Sequence, residues 1–171
     1  MTTSHGNGFS VRSARATDVR AIQALREPSE GKVLLHHDLV ALFEKVQEFL
    51  VVEDAAGNIV AAGALHIMWE DLAEVRSIVV AGEQRGKGIG HLLVDALVAK
   101  AAASGIKRLF CLTFEVNFFA KHGFDEISDV PVDEATFAEL VRSTDEGTAE
   151  FLDLARVKQN TLGNTRMLKR L

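Results

Sequence analysis

Apolar and polar positions alternate from Phe9 to Arg15, the two-residue period of a strand. Val19, Ile22 and Leu25 then recur at helical spacing, with Thr17 placed as the N-cap and Pro28 as the stop. A turn at Ser29 to Gly31 precedes a second helix capped by Asp38, with Leu39, Leu42, Phe43 and Val46 on one face. Phe49 to Glu53 reads as a strand, Ala56-Gly57-Asn58 as a turn, and Ile59 to Trp69 as a long strand. The polar pair Glu70-Asp71 leads into another strand, Glu74 to Val80. After a glycine-rich loop, Gly82 to Gly90, the positions Ile89, Leu92, Leu93, Ala96, Leu97 and Ala101 mark an amphipathic helix that stops near Gly105. Lys107 to Thr113 is an apolar strand, and Val116 to His122 a short helix before Gly123-Phe124. A strand, a helix around Glu134 to Arg142 and one or two strands complete the chain. This order predicts one α/β layer structure around a mixed sheet.

At 171 residues the chain fits one domain with a real core. Met1 to Gly8 is polar, lacks the basic-then-apolar order of a signal peptide, and reads as a disordered tail before a domain spanning 9–171. No apolar run reaches the length of a membrane helix. The single cysteine, Cys111, excludes an internal disulfide and fits a reducing cytoplasm. The net charge of −5, scattered Lys and Arg, and the lack of tyrosine argue against nucleic acid as a partner. A local convergence of positive groups can still hold an anion.

Such a convergence stands at Gln84-Arg85-Gly86-Lys87-Gly88-Ile89-Gly90, between an apolar strand and an amphipathic helix. Glycines let a ligand approach the backbone closely, successive N–H groups form an anion nest, and the helix start adds its positive dipole end. Arg85 and Lys87 add full charges, so a pyrophosphate is the natural guest. A mononucleotide P-loop would need Ser or Thr after Gly86-Lys87, where Gly88 stands. The dinucleotide spacing fails too, since the sixth position counted from Gly86 is His91. A ligand-free glycine turn is the competing reading.

Arg85-x-x-Gly88-x-Gly90 after Ile78-Val79-Val80 resembles the acetyl-CoA pyrophosphate motif of the GNAT N-acetyltransferase superfamily. Phe118-Phe119-Ala120-Lys121-His122-Gly123-Phe124 resembles its later helix-turn segment. A closer resemblance is to stand-alone amino-acid N-acetyltransferases, the short form of N-acetylglutamate synthase found in actinobacteria. It is carried by Gly31-Lys32-Val33-Leu34-Leu35, Gly63-Ala64-Leu65-His66, Glu74 to Val80, Leu112-Thr113-Phe114-Glu115, Glu150 to Leu154 and Leu162 to Leu168. The resemblance implies a single GNAT-fold domain whose mixed, mostly antiparallel sheet is splayed in the middle and flanked by helices. It implies acetyl-CoA as co-substrate and L-glutamate as acceptor, the entry step of arginine biosynthesis, with a homodimer as the expected assembly.

Carried over residue by residue, the resemblance places acetyl-CoA on Ile78, Val79, Val80, Arg85, Gly86, Lys87, Gly88, Ile89, Gly90, Asn117 and Phe119. Glu74 takes the place of the base that deprotonates the amine. An ion pair with Arg76, two residues on and facing the same side, is its competing role. Many family members have a tyrosine at Phe119 that protonates the departing thiolate; Thr113, Glu115 and water are left as open candidates. Lys32, Arg76, Thr113, Asn164 and Arg166 are the acceptor-side candidates, since guanidinium and ammonium groups grip carboxylates. Lys32 and the pair His36-His37 precede the helix that covers the acceptor side, and for each the competing role is a solvated surface group. His36-His37 and His66 lack partners at metal-ligand spacing, so no metal is expected. Other acceptors, and a non-catalytic acetyl-CoA sensor, remain as rival functions.

Overall fold

The computed structural model describes residues 3–5, 8–34, 36–154 and 164–171. In these residues eight strands form one sheet: β1 (Thr3–His5), β2 (Phe9–Ser13), β3 (Phe49–Glu53), β4 (Ile59–Ile67), β5 (Leu72–Val80), β6 (Arg108–Thr113), β7 (Asp125–Glu126) and β8 (Thr165–Arg170). Their order is β1-β2-β3-β4-β5-β6-β8-β7. Every pairing is antiparallel except β5 with β6. The expected mixed, mostly antiparallel sheet is therefore present. Within the segment read as a tail, β1 pairs with Phe9 to Val11. Leu35, Leu162 and Gly163, which helped carry the family resemblance, lie outside the described residues.

Among the described residues six α-helices cover the sheet: α1 (Val19–Arg26), α2 (Leu39–Glu44), α3 (Ile89–Ala103), α4 (Val116–Ala120), α5 (Glu134–Leu140) and α6 (Glu146–Phe151). On one face, Leu93, Leu97 and Ala101 of α3 pack with Val52, Leu65, Val75, Leu109 and Cys111. On the other face there are two clusters. Val19, Ile22 and Leu42 cover Phe49, Val51, Ala62 and Ala64. Leu140, Phe151 and Leu152 cover Leu72, Phe110 and Leu168. Between these two clusters the floor of the sheet is left to polar side chains, and there the candidate site lies.

Two local expectations change. Thr17 does not cap α1; it sits in a 3-10 turn, Ala16–Asp18, where the Asp18 carboxylate accepts from the Arg15 amide at 2.7 Å. The segment before β8, expected to be strand, contains α6, whose N-cap Asp145 accepts from the Thr148 amide at 2.9 Å. A carboxylate that reaches its own backbone three residues on starts a helix even in a short polar stretch.

Arg12 ties β2 to this first turn. Its guanidinium donates to Asp18 at 2.6 and 3.1 Å and to Glu53 on the neighbouring strand at 2.5 and 2.8 Å. Arg12 and Asp18 are both buried. The hydrogen bonds from Arg12, opposed by burial and aided by the Arg15 amide, hold the Asp18 carboxyl below its ordinary value. A depressed value stabilises the fold above the unfolded pKa of about 3.9 and ceases to do so as pH falls through the folded value. Asp18→Ala should cost about 1–3 kcal/mol at pH 7, because the buried Arg12 guanidinium loses one of its two carboxylate partners and keeps only Glu53. In chemical denaturation the gap between variant and native protein should narrow below about pH 3.9.

Candidate active site

The site begins with one extra residue. Ala62 pairs with Val79 and Ala64 with Arg76, so Ser77 and Ile78 stand opposite Gly63 alone. Ser77 takes a left-handed φ of 58°, rare for a residue with a side chain. A bulge of this kind reverses which face each later side chain meets. Before it, Ala73 and Val75 face α3, and Glu74 and Arg76 face away. After it, Ile78 and Val80 face α3, and Val79 packs with the α1 cluster. Gly63 admits the shift: a Cβ there would lie 2.5 Å from the Ile78 side chain.

The sheet opens at the same level. β5 pairs with β6 only through Leu72, Ala73 and Glu74 against Arg108, Leu109 and Phe110. Beyond Glu74 the strands part, leaving the β5 edge over Ile78, Val79 and Val80 without a strand partner on the β6 side. This is the expected splay. At its mouth, Gly86 and Gly88 have φ of 79° and 78° and are exposed. Gly88 is the N-cap of α3, and no side chain caps that helix. The first amides of α3, at Ile89 and Gly90, therefore lack intrahelical acceptors and point out at its positive end. Arg85 and Lys87 are exposed beside them, and Lys87 Nζ donates to Gln84 Oε1 at 2.8 Å. Phe118 closes over Gly90, where a Cβ would sit 3.4 Å from the ring. Asn117 is exposed on α4. Phe119 is instead buried, edge-on to Phe118 and Phe124, so its ring belongs to the core.

On the other face, a cavity of about 260 Å³ lies between the α1–α2 and α5–α6 clusters. Glu74, Arg76 and Ser77 line it from the sheet, and Arg26, His37, Lys45, Asp145, Glu150 and Asn164 from the walls. Glu74 is only 4% exposed. Burial pushes its carboxyl up, opposed chiefly by the charge of Arg76. Arg76 donates to Asp145 at 2.8 Å and to Glu48 at 3.0 Å, and approaches Glu74 Oε2 at 3.5 Å. His66, paired with Glu74 across β4 and β5, lies 2.9 Å from Glu48. Lys45 donates to the second oxygen of Asp145 at 3.0 Å. Although burial opposes it, Arg76 and His66 together hold Asp145 well below the usual carboxylate range. His37 is pushed down to about 4 by burial and by Arg26, Lys45 and Arg76, and is therefore neutral at pH 7.

Gly147 lets α6 sit on this network. A Cβ there would be 2.5 Å from Glu74 Oε2 and 2.8 Å from Arg76 Nη1. Nothing in a strand-or-loop reading of this segment shows that contact. The aspartate before Glu146-Gly147-Thr148, as a helix cap, was the available signal.

The acceptor-side expectations divide. Arg76 and Asn164 line the cavity, Arg76 already engaged by three carboxylates. Lys32 is exposed and does not line it. Thr113 is buried, its hydroxyl accepting from the Glu115 amide at 2.8 Å, and it is Leu112 that reaches the cavity. Arg166 donates to the carbonyls of Glu150, Phe151 and Asp129, and lies over the rings of Phe110 and Phe151, fastening the end of α6. Arg26, Glu48, Asp145 and Glu150 were not foreseen; each is separated from Glu74 in sequence and joined to its surroundings only by folding. Among the described residues no group of His, Cys, Asp and Glu is arranged to hold a metal ion. No helix of the described residues is long and apolar enough to cross a membrane.

The model of the acetyltransferase (GNAT) family matches residues 18–124. The chain belongs to the GNAT family. It is 51% identical over 160 residues to an amino-acid acetyltransferase of Mycobacterium tuberculosis, covering 92% of each protein. A crystal structure of Rv2747 from Mycobacterium tuberculosis, in complex with CoA and NLQ, superposes with a TM-score of 0.91 at 51% identity, over 94% of this chain and 98% of that one. The N-acetylglutamate synthase of Neisseria gonorrhoeae, complexed with coenzyme A and N-acetyl-glutamate, gives a TM-score of 0.77 at 25% identity, with 98% of this chain covering 36% of that one. Acetyl-CoA is the co-substrate of this GNAT enzyme, and the open amides and exposed cations from Arg85 to Gly90 fit its pyrophosphate.

Two substitutions separate the halves of the site. Gly147→Ala should displace the Glu74 carboxylate and lower kcat by about 10²-fold, the usual cost of a small misplacement of a reacting group. The acetyl-CoA KM should stay near native. Gly88→Val places a branched side chain at a left-handed φ beside the open amides and should raise the acetyl-CoA KM at least about tenfold, leaving the acceptor KM near native. Steady-state kinetics with each substrate varied in turn checks both.

Proposed function

We propose that this enzyme transfers the acetyl group of acetyl-CoA to the α-amino group of L-glutamate, the first step of arginine biosynthesis, in the cytoplasm and as a homodimer. The observation that carries the reading is Glu74. It is a buried carboxylate on the wall of the cavity, at the point where β5 and β6 separate. A base there is positioned to take a proton from an amine in the cavity, while the acetyl group approaches through the splay. As charge builds on the acetyl oxygen, the unpaired β5 amides near Ile78 and Val80 supply hydrogen bonds to it. Arg26 and Lys45 on the walls give the cavity cations for a carboxylate guest. The kinship with amino-acid acetyltransferases, and with a synthase that holds N-acetyl-glutamate, supports an amino acid as that guest.

The acids that share the cavity favour a second reading. Glu74, Asp145, Glu146 and Glu150 also suit a cationic amine that carries no carboxylate.

Thiol release from acetyl-CoA, measured across amino acids, polyamines and peptides, decides between them. The expected result is a kcat/KM for glutamate at least about tenfold above any polyamine, a gap of about 1.4 kcal/mol. A polyamine at the head of the panel replaces the reading with the second one. Acetyl-CoA binding without turnover of any acceptor would leave a sensor.

A further inference from the structure

The cavity has a second carboxyl group that the network around Arg76 leaves open. Asp145 is held by Arg76, Lys45 and the Thr148 amide, and Glu48 by Arg76 and His66. Glu74 is approached by Arg76. Glu150 Oε1 is buried and has no hydrogen-bond partner. The same holds for His37 Nδ1 and Asn164 Oδ1, and all three side chains line this one cavity. Two of the three atoms are acceptor oxygens, one of a carboxyl group and one of an amide. A buried oxygen without a donor is costly, so this corner is completed by a guest that brings N–H groups.

Glu150 is fixed where such a guest would meet Glu74. It lies three residues beyond Gly147, on the same face of α6, and Gly147 is the point where that helix rests on Glu74. Its backbone carbonyl accepts from Arg166 at 3.1 Å, which anchors it from behind.

We propose that Glu150 is a second catalytic carboxylate, which receives the ammonium of the acceptor amino acid and takes its first proton. This rests on the amino-acid reading above. The ammonium passes one proton to Glu150 and becomes a neutral amine. The amine lone pair attacks the acetyl carbonyl, the C–N bond forms, and the nitrogen sheds a second proton to Glu74. The C–S bond breaks, and coenzyme A leaves as the thiolate and takes a proton from water. Glu150 and Glu74 return their protons to solvent.

Burial pushes the Glu150 carboxyl up to about 7, with Glu74, Glu146 and Asp145 adding to the shift. Its charged and titratable surroundings are Glu74 and Arg76 on β5, His66 on β4, Asp145 and Glu146 on its own helix, Arg26 on α1, and His37 and Lys45 on either side of α2. The working form is the carboxylate. Activity at low acceptor concentration should therefore rise with pH through about 7.

The test is the pH dependence of kcat/KM for glutamate in native protein, Glu150→Gln, Glu150→Asp and Glu74→Gln, with the thermal melt of each recorded. Glu150→Gln should lower kcat/KM by about 10²-fold or more, and lose the acid limb, at unchanged acetyl-CoA KM. Glu150→Asp should recover part of the rate and keep the limb. Glu74→Gln should lower kcat but keep the limb. A Glu150→Gln enzyme that retains native kcat/KM, or one in which only the acceptor KM rises while the acid limb persists, overturns the role of Glu150 and leaves the glutamate reading standing. If Glu150→Gln fails to fold, loss of the limb in Glu150→Asp overturns it in the same way. Native protein that turns over no amino acid overturns the amino-acid reading and this role with it.

Discussion

The active site depends on the extra residue that β5 carries at Ser77. Without it, alternation would keep Glu74, Arg76, Ile78 and Val80 on one face of the sheet. Two charged groups and two apolar ones would then compete for the same cover. With it, Glu74 and Arg76 face the polar cavity while Ile78 and Val80 pack under α3. The cost is one side-chain-bearing residue at positive φ, about 1–3 kcal/mol. The fold offsets that cost through the apolar contacts of Ile78 and Val80. The pairing of β5 with β6 ends at Glu74, just before this irregularity, so the change of face and the splay lie next to each other on one strand.

A buried glutamate beside a buried arginine is costly unless each is compensated. Here the compensation extends over a network of six side chains. Arg76 is shared among Glu74, Asp145 and Glu48, Lys45 pairs with Asp145, and the His66 ring lies within hydrogen-bond distance of Glu48. Arg76 reaches Glu74 at the longest of its distances, 3.5 Å, and Asp145 at 2.8 Å. Asp145, held low, takes most of the positive charge, and Glu74 is left raised by burial. That division suits a base: a fully paired Glu74 would be too weakly basic to remove a proton. Arg76, expected as a carboxylate clamp for the acceptor, already meets three carboxylates of the chain itself.

Features fixed by local chemistry were legible in the sequence. The glycine loop, the long helix from Ile89 and the place of Glu74 follow from spacing that a few neighbouring residues determine. Phe119, Thr113 and Arg166 were read for chemistry, yet one packs between Phe118 and Phe124 and the others hold backbone groups. Type and order along the chain could not separate those roles, because burial decides them. Helix α6 was hidden for a different reason. Six residues carry too few turns to show a helical period, and its evidence is a cap, Asp145, whose other oxygen serves Lys45, the residue that follows α2. Glu48, Asp145 and Glu150 enter the site only because two distant segments, the one before β3 and α6, close on β5.

The cavity's mixture of charges bears on its guest. A polyamine would satisfy the acids and leave Arg26 and Lys45 facing a cation, which like-charge repulsion opposes. A dicarboxylate without an amine would do the reverse at Glu74 and Glu150. An α-amino acid is a zwitterion, with an ammonium and a carboxylate about one bond apart from a shared carbon, and it meets both sets at once. The open oxygens of Glu150 and Asn164 then have an N–H donor, and the cations have an anion. His37 is the exception: flanked by three cations and neutral at pH 7, it can offer either a donor or an acceptor at Nδ1. A neutral ring at that place accepts an amide or a carboxylate side chain with similar ease. The choice between acceptor amino acids thus falls on the cations around His37, whose attraction for a full negative charge is what would set glutamate apart.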